Sequence, residues 1–221
     1  MPAAETTRST NEHDWHSSEY VDWWITRDRG RDAERRQRLQ KMLAHADAPP
    51  NAKFSVIDIG GGYGVVTEEV VAAFPRARVT LQDYSEPMIL AARERLIAHS
   101  ECINYVLADL TDQGWVDRVL SVGGGPFDLA VSAIVIHNLR QAPLIAHAYS
   151  GVARMLKPGG LFLDYDLFST RSAAWPATYS SCTRLASHGL IVCGSSPRWQ
   201  RSQLGRTFNR WMRYANLRSA C

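Results

Sequence analysis

Cysteine is scarce and poorly placed for ligation. The 221 residues hold four, Cys102, Cys182, Cys193 and Cys221, with no CxxC pair and no His/Cys group at zinc spacing. Thiols so dispersed predict neither a metal site nor a disulfide framework, and they suit a reducing compartment. Long apolar runs are missing too: none reaches the roughly 18 residues that a membrane-spanning helix needs. The opening MPAAETTRSTNEHD carries acids where a secretory signal needs an apolar stretch, so the reading is cytoplasmic and without membrane contact. There is no G-x-x-x-x-G-K-[ST] phosphate loop and no internal repeat of solenoid length. Charge of one sign is weak overall. Net charge is +3 and pI about 8.7, too mild to call for a nucleic-acid partner.

What is present suffices for one substantial core: 45% of the residues are hydrophobic, on a chain of single-domain length. Residues 1–12 read as a disordered leader. Residues 13–50 read as a helical lid, with Tyr20, Trp23 and Trp24 near one another on one helix and Leu39, Met42 and Leu43 at helical spacing on a second, opposite many arginines. Trp15 joins those aromatics, and the segment either covers a ligand mouth or packs on a sheet edge. Arg27, Arg29 and Arg31 are either a carboxylate-binding group or a solvated basic face. Ala48-Pro49-Pro50-Asn51 is a stop.

From 51 to 166, short apolar runs alternate with helical stretches. Strands are expected at 54–60, 78–83, 103–109, 127–134 and 160–166. Helices are expected at 63–74, 86–100 and 144–155, and Lys157-Pro158-Gly159-Gly160 reads as the turn before the fifth strand. The alternation implies an α/β fold, a mostly parallel twisted sheet covered by helices on both faces.

The strongest local signal is Asp58-Ile59-Gly60-Gly61-Gly62-Tyr63-Gly64, which ends an apolar strand and opens a helix. Glycines there let the backbone turn tightly and let a ligand approach without a Cβ in the way. The dinucleotide fingerprint G-x-G-x-x-G fails, because Val65 stands where its third glycine belongs. Asp58, two residues before the first glycine, would repel a pyrophosphate. It suits a ligand with a cationic amine and a sulfonium, the charge pattern of S-adenosylmethionine. Asp83 ends the second strand, where a carboxylate accepts hydrogen bonds from a ribose diol; the alternative is a plain capping acid. Beyond Tyr84, Ser85 can cap the next helix and Pro87 fits its first turn. Met88 offers a soft surface to adenine or serves the core. Asp109, at the end of the third strand, is either a partner for the adenine amino group or a loop acid.

VIDIGGGYG, VTLQDYSEPMI, YVLADL, FDLAVSAIVIHNL and MLKPGGLFLDYD resemble, in order and spacing, the successive motifs of class I S-adenosylmethionine-dependent methyltransferases. The resemblance covers about residues 54–166. It implies a three-layer Rossmann-like methyltransferase fold, seven-stranded with the last strand antiparallel, and in-line attack on the sulfonium methyl. By that resemblance cofactor roles carry onto Asp58, Gly60, Gly62, Asp83, Met88, Asp109 and Leu110, and Gly61, Tyr63, Gly64, Tyr84 and Ser132 complete the expected cofactor site. The fourth strand leads into Ile134-Val135-Ile136-His137, and His137 is the candidate general base, since imidazoles titrate near pH 6.5. Its alternatives are a packing role, and a site that works by alignment without a base. The acceptor reads as a small molecule with a hydroxyl, amine or acidic carbon. No Asn/Asp-Pro-Pro-Tyr motif of amide-methylating enzymes follows the fourth strand, where Ser132-Ala133-Ile134-Val135 stands. The rival readings are an RNA or protein methyltransferase and a non-catalytic binder. Oligomeric state is left open.

Residues 167–221 break the pattern. They contain eight Arg but no Asp, Glu or Lys, leaving 17 basic against 22 acidic residues in the first 166. Either this is a basic extension that binds a polyanion, or it is read in a shifted frame that replaces the last helix and strands. The second reading expects no proper sixth and seventh strands and an exposed sheet edge. Sequencing the gene around codons 166–172 decides between them.

Overall fold

The structure, a computed structural model, describes residues 13–46 and 48–166 in full and the backbone of Cys182–Leu185 and Leu190–Gly194. The leader expected at 1–12 lies outside the described residues, as does most of the tail.

Seven strands form one sheet: β1 Ser55–Ile59, β2 Arg78–Asp83, β3 Ile103–Leu107, β4 Phe127–Ala133, β5 Leu156–Tyr165, β6 Cys182–Leu185 and β7 Leu190–Gly194, in the order β3-β2-β1-β4-β5-β7-β6. The first five are mutually parallel; β7 runs antiparallel to β5 and β6 antiparallel to β7. Strands β6 and β7 stand where the shifted-frame reading expects no proper sixth and seventh strands, and they fit the seven strands that the resemblance implies. Their ladder covers the edge of β5 that was expected to be bare.

Alternation along the central strands splits the core into two apolar layers. Val56, Leu81, Leu129 and Leu163 face α1 (Ser18–Asp28), α2 (Asp32–Leu43), α3 (Val65–Ala73) and α4 (Glu86–Arg95). Ile57, Ile59, Ala130 and Phe162 face α5 (Trp115–Gly123) and α6 (Ala142–Met155). Strands buried on both faces must be apolar at nearly every position, which explains runs such as SVIDI and FDLAVSA.

Three local expectations are corrected. Helix α5 lies where none was expected; Trp115, Val116 and Val119 form its buried face. The helix expected to reach Ser100 stops at Arg95, and a 3-10 segment, Ile97–Cys102, follows. Lys157–Gly160 is no free turn but part of β5, where the register with β4 shifts and Gly159 takes φ +85°. No helix among the described residues is long and apolar enough to cross a membrane.

The order places β1 beside β4, with β2 on the far side of β1. Connections therefore leave these neighbours in opposite directions and open a crevice at their carboxyl ends. The glycine turn leaves β1 on one wall of that crevice. Ile134–His137 leaves β4 on the other.

Candidate functional site

Gly60, Gly62 and Gly64 take φ of +62°, +52° and +87°, so the turn needs the left-handed region three times within five residues. Space sorts the glycines further. A Cβ on Gly60 would fall 2.3 Å from Val135 Cγ1, one on Gly61 2.5 Å from Leu81 Cγ, and one on Gly64 2.7 Å from Leu96 Cδ1. A Cβ on Gly62 would meet nothing nearer than Met88 Sδ at 4.0 Å. Three glycines thus serve the protein's own packing, whereas Gly62 faces open space.

The turn is fastened by the end of β2. Gln82 accepts from the Gly60 N–H through Oε1 at 3.1 Å and donates through Nε2 to the Ala108 carbonyl at 2.6 Å, tying the tips of β1, β2 and β3 together. The Asp83 carboxylate accepts from the Gly62 N–H at 2.9 Å and the Ser85 N–H at 2.9 Å. Burial raises its pKa, against the pull of those backbone donors. Two oxygens offer about four acceptor positions, so room remains for a diol. Ser85 caps α4, and its hydroxyl also donates to the Trp15 carbonyl at 2.5 Å. The N-terminal segment is thereby fixed beside Asp83.

Asp58 is fully buried. Its Oδ2 accepts from Thr67 Oγ1 at 2.6 Å, while Oδ1 has no hydrogen-bond partner among the described residues. Burial, with the charge of Asp83 adding to it, pushes its pKa up to about 7. A buried carboxylate oxygen without a donor costs stability unless something else supplies one. An ammonium group meets that need. With the diol capacity of Asp83 and the clear face of Gly62, these residues fit S-adenosylmethionine better than a pyrophosphate compound.

The other expected residues divide. Met88 and Leu110 are both buried, Met88 in the layer under α3 and α4 and Leu110 in the layer under α5 and α6. Tyr84 stays 38% exposed, edge-on to the His16 ring at 5.3 Å, and burial and then the Asp83 charge push its pKa up to about 12. Asp109 Oδ1 accepts from both the N–H and the hydroxyl of Thr111 at 2.8 Å, a turn that holds the loop. Tyr63 turns its side chain the other way. Its side chain is buried away from the crevice, and its hydroxyl donates to Asp28 at 3.0 Å, with Arg35 donating to it at 3.3 Å. Its part in the site is its backbone. The Ser132 side chain is likewise enclosed, on the face that carries Ile59 and Asp164, its ladder neighbours.

On the opposite wall, Ile134 takes φ +60°, an outlier for a β-branched residue. It is pinned by its N–H to Tyr165 O at 2.8 Å and by Asn138 Nδ2 on its carbonyl at 3.3 Å. Three residues on, the His137 N–H donates to Asp166 Oδ2 at 2.9 Å, and Nδ1 lies 2.5 Å from Asp166 Oδ1. Sequence reasoning singles out His137 but not Asp166 or Gln82. Asp166 ends the period-two pair Asp164/Asp166 at the carboxyl tip of a strand, a place where acids are worth attention. Among the described residues no group of His, Cys, Asp and Glu is arranged to hold a metal.

Residues 57–162 match a family model described as a methyltransferase domain. Release factor glutamine methyltransferase of Chlorobaculum tepidum is 39% identical over 92 residues, 41% of this chain and 28% of that protein. Ribosomal RNA small subunit methyltransferase C of Salmonella choleraesuis is 32% identical over 113 residues, 50% of this chain and 30% of that protein. The match thus spans less than a third of either curated relative. Among solved structures, a sugar N-methyltransferase of Streptoalloteichus shares the fold with a TM-score of 0.54 at 21% identity, covering 78% of this chain and 62% of that one.

Proposed function

We propose that this chain, whose residues 57–162 match a methyltransferase-domain model, is a class I S-adenosylmethionine-dependent methyltransferase that binds its cofactor in the β1/β4 crevice and methylates a small-molecule acceptor. The observation that carries the reading is the orphaned, fully buried Asp58 Oδ1 beside a glycine turn with one open face. Asp58 would hold the ammonium group, Asp83 the ribose diol, and Met88 and Leu110 would flank the adenine, with Asp109 Oδ2 at its edge. The cofactor supplies an electrophilic methyl on sulfur. The chain's contribution is to orient, to exclude water and to align the acceptor.

The small-molecule reading rests on Ser132-Ala133-Ile134-Val135, where enzymes that methylate amides carry Asn/Asp-Pro-Pro-Tyr. Two curated relatives are named for a protein and an RNA substrate, so the expectation against nucleic acid is not retained and a macromolecular acceptor is the second reading. Two experiments test the proposal. Saturating S-adenosylhomocysteine should raise the melting temperature, by about 2.7 kcal/mol of linkage at 100 times its Kd. Asp83→Asn should weaken binding at least tenfold by calorimetry. Stabilisation by a dinucleotide instead would sink the cofactor assignment. Methyl-labelled cofactor in cell extract separates the acceptors: label in the low-molecular-weight fraction supports the first reading, and label retained on RNA or protein supports the second.

A further inference from the structure

The sheet ends on a strand whose outer side is open. Strand β3 is the outermost strand beside β2 and runs parallel to it. The Ala108 N–H donates to the Asp83 carbonyl at 2.9 Å, so that residue turns its backbone toward β2. Backbone polar groups alternate in direction along a strand, and Asn104 and Val106 therefore face β2 as well. Ile103, Tyr105 and Leu107 turn theirs outward. The outward N–H and C=O groups of Tyr105 and Leu107 meet no partner among the described residues. Free edges are commonly blunted by a charge, a proline or a bulge. The β3 sequence INYVL has neither charge nor proline, and its register with β2 runs without a shift.

Apolar side chains stand beside this edge. Leu107, on β3 itself, is 45% exposed. On α4, Leu90 and Arg93 share one helix face at i and i+3. The Arg93 guanidinium lies over the Tyr105 ring, 4.3 Å from its centroid, and that contact turns the face toward the edge. Leu90 is 55% exposed, and Ile97, a turn further on, is 70% exposed. Leu90, Ile97 and Leu107 together present on the order of 300 Å² of apolar surface, as much as the largest patch on many monomers, and such patches mark interaction sites. The edge also matches itself. Antiparallel pairing about a two-fold axis at Tyr105 sets Tyr105 against its own copy and Ile103 against Leu107 of the partner subunit. These are the residues whose polar groups point outward, so each pair exchanges both of its N–H···O bonds. An axis normal to the sheet keeps α4 of both copies on one side, where Leu90 and Ile97 extend the contact. Strand edge and patch would bury on the order of 1,200 Å² over both copies, the lower limit of a specific interface.

We propose that this edge is a self-association surface, on which a second copy of the chain adds its β3 antiparallel to β3 and extends the sheet across a two-fold axis at Tyr105. The two crevices then open at opposite ends of the joined sheet, and neither takes a residue from the partner. Dimerisation is therefore independent of the methyltransferase reading.

Sedimentation equilibrium of the full chain from about 1 to about 200 μM should show a monomer–dimer equilibrium with a micromolar Kd, as a contact of this size gives. Hydrogen exchange resolved to single amides, at the two ends of that range, should separate alternate residues. The amides of Tyr105 and Leu107 should slow as the dimer fills, while that of Val106, bonded to β2, stays slow throughout. Leu90→Lys and Ile97→Lys should each weaken the dimer about tenfold, because a charge enters a buried apolar contact. Both positions are exposed in the monomer, so its melting temperature and its binding of S-adenosylhomocysteine should not change. A monomer at every concentration overturns the proposal, whether those two amides exchange freely or are covered by another segment of the same chain. So does a dimer that both lysine variants leave intact, or one in which Tyr105 and Leu107 exchange as fast as in the monomer.

Discussion

Two neighbouring glycines separate fold from ligand. At Gly61 an added Cβ would sit 2.5 Å from Leu81 Cγ and 3.0 Å from Asp58 Oδ2, so Gly61→Ala should cost stability through overpacking, about 1–3 kcal/mol. At Gly62 the same methyl meets open space and pays only for φ +52°, about 1 kcal/mol. Gly62→Ala should therefore fold nearly as well as wild type and lose most of its affinity for S-adenosylhomocysteine. Melting curves with and without the ligand check both. Equal thermal losses with undiminished ligand binding would mean that nothing docks on that face. Asp58→Asn works the other way round, removing a buried charge and with it the attraction for an ammonium group. Affinity should drop at least tenfold by calorimetry at pH 8, with no loss of folding. The sequence pattern singles out Asp58, Asp83 and the glycine run because each needs a special residue type at a fixed offset. It did not reveal Gln82 or Asp166, since a buried amide and a strand-end acid acquire meaning only from what lies across the ladder. The place of Tyr63 in the run says nothing of which way its ring turns.

Between elements, the N-terminal helices are bolted to the cofactor turn by polar contacts. Tyr63 reaches from the turn to Asp28 at the end of α1. Arg35 on α2 meets the same carboxylate at 2.5 Å, and Arg95 on α4 joins Asp32 at 3.2 Å to Glu68 on α3 at 2.8 Å. Burial and then the Asp28 charge raise the pKa of the Tyr63 hydroxyl, so it stays a donor. Tyr63→Phe would leave Asp28 short of one donor at the cost of a hydrogen bond to a charged group, about 1.5–3 kcal/mol. Amide exchange in 18–43 should accelerate, together with exchange in 60–64. Acceleration in only one of the two would show that the layers open independently. The helical pattern of α2 was legible because Leu39, Met42 and Leu43 share a face, and all three are buried. Helix α5 was equally legible, with Trp115, Val116 and Val119 at helical spacing. Its nine residues lie between glycines, at Gly114 and Gly123-Gly124, which mark a loop as readily as a helix.

Across the whole molecule, the carboxylates of the site make the fold sensitive to pH in an unusual sense. Asp58, Asp83 and Asp164 all bind their protons more tightly when folded than an exposed aspartate does, each chiefly through burial. From about pH 4 upward the unfolded chain has released protons that the folded chain retains. Stability then falls as pH rises, by at most about 1.4 kcal/mol per proton per pH unit. For Asp58 the loss is complete once pH passes about 7. His45 opposes this, since burial lowers its pKa and its share of stability is lost as pH falls below the usual imidazole range. Asp128, lowered by Lys157 and Ser55, matters only at more acid pH. Asp58 alone, held at about 7 when folded, makes the melting temperature of the ligand-free protein decline between pH 5 and 7, and Asp83 and Asp164 act in the same direction. A bound ammonium favours ionised Asp58, so saturating S-adenosylhomocysteine should flatten the decline, and affinity should rise with pH up to about 7. Asp58→Asn should remove part of the slope and most of its response to ligand. A melting temperature that climbs from pH 5 to 7 without ligand would show that these carboxylates find partners or water in solution, and the orphaned oxygen would lose its claim to an ammonium group.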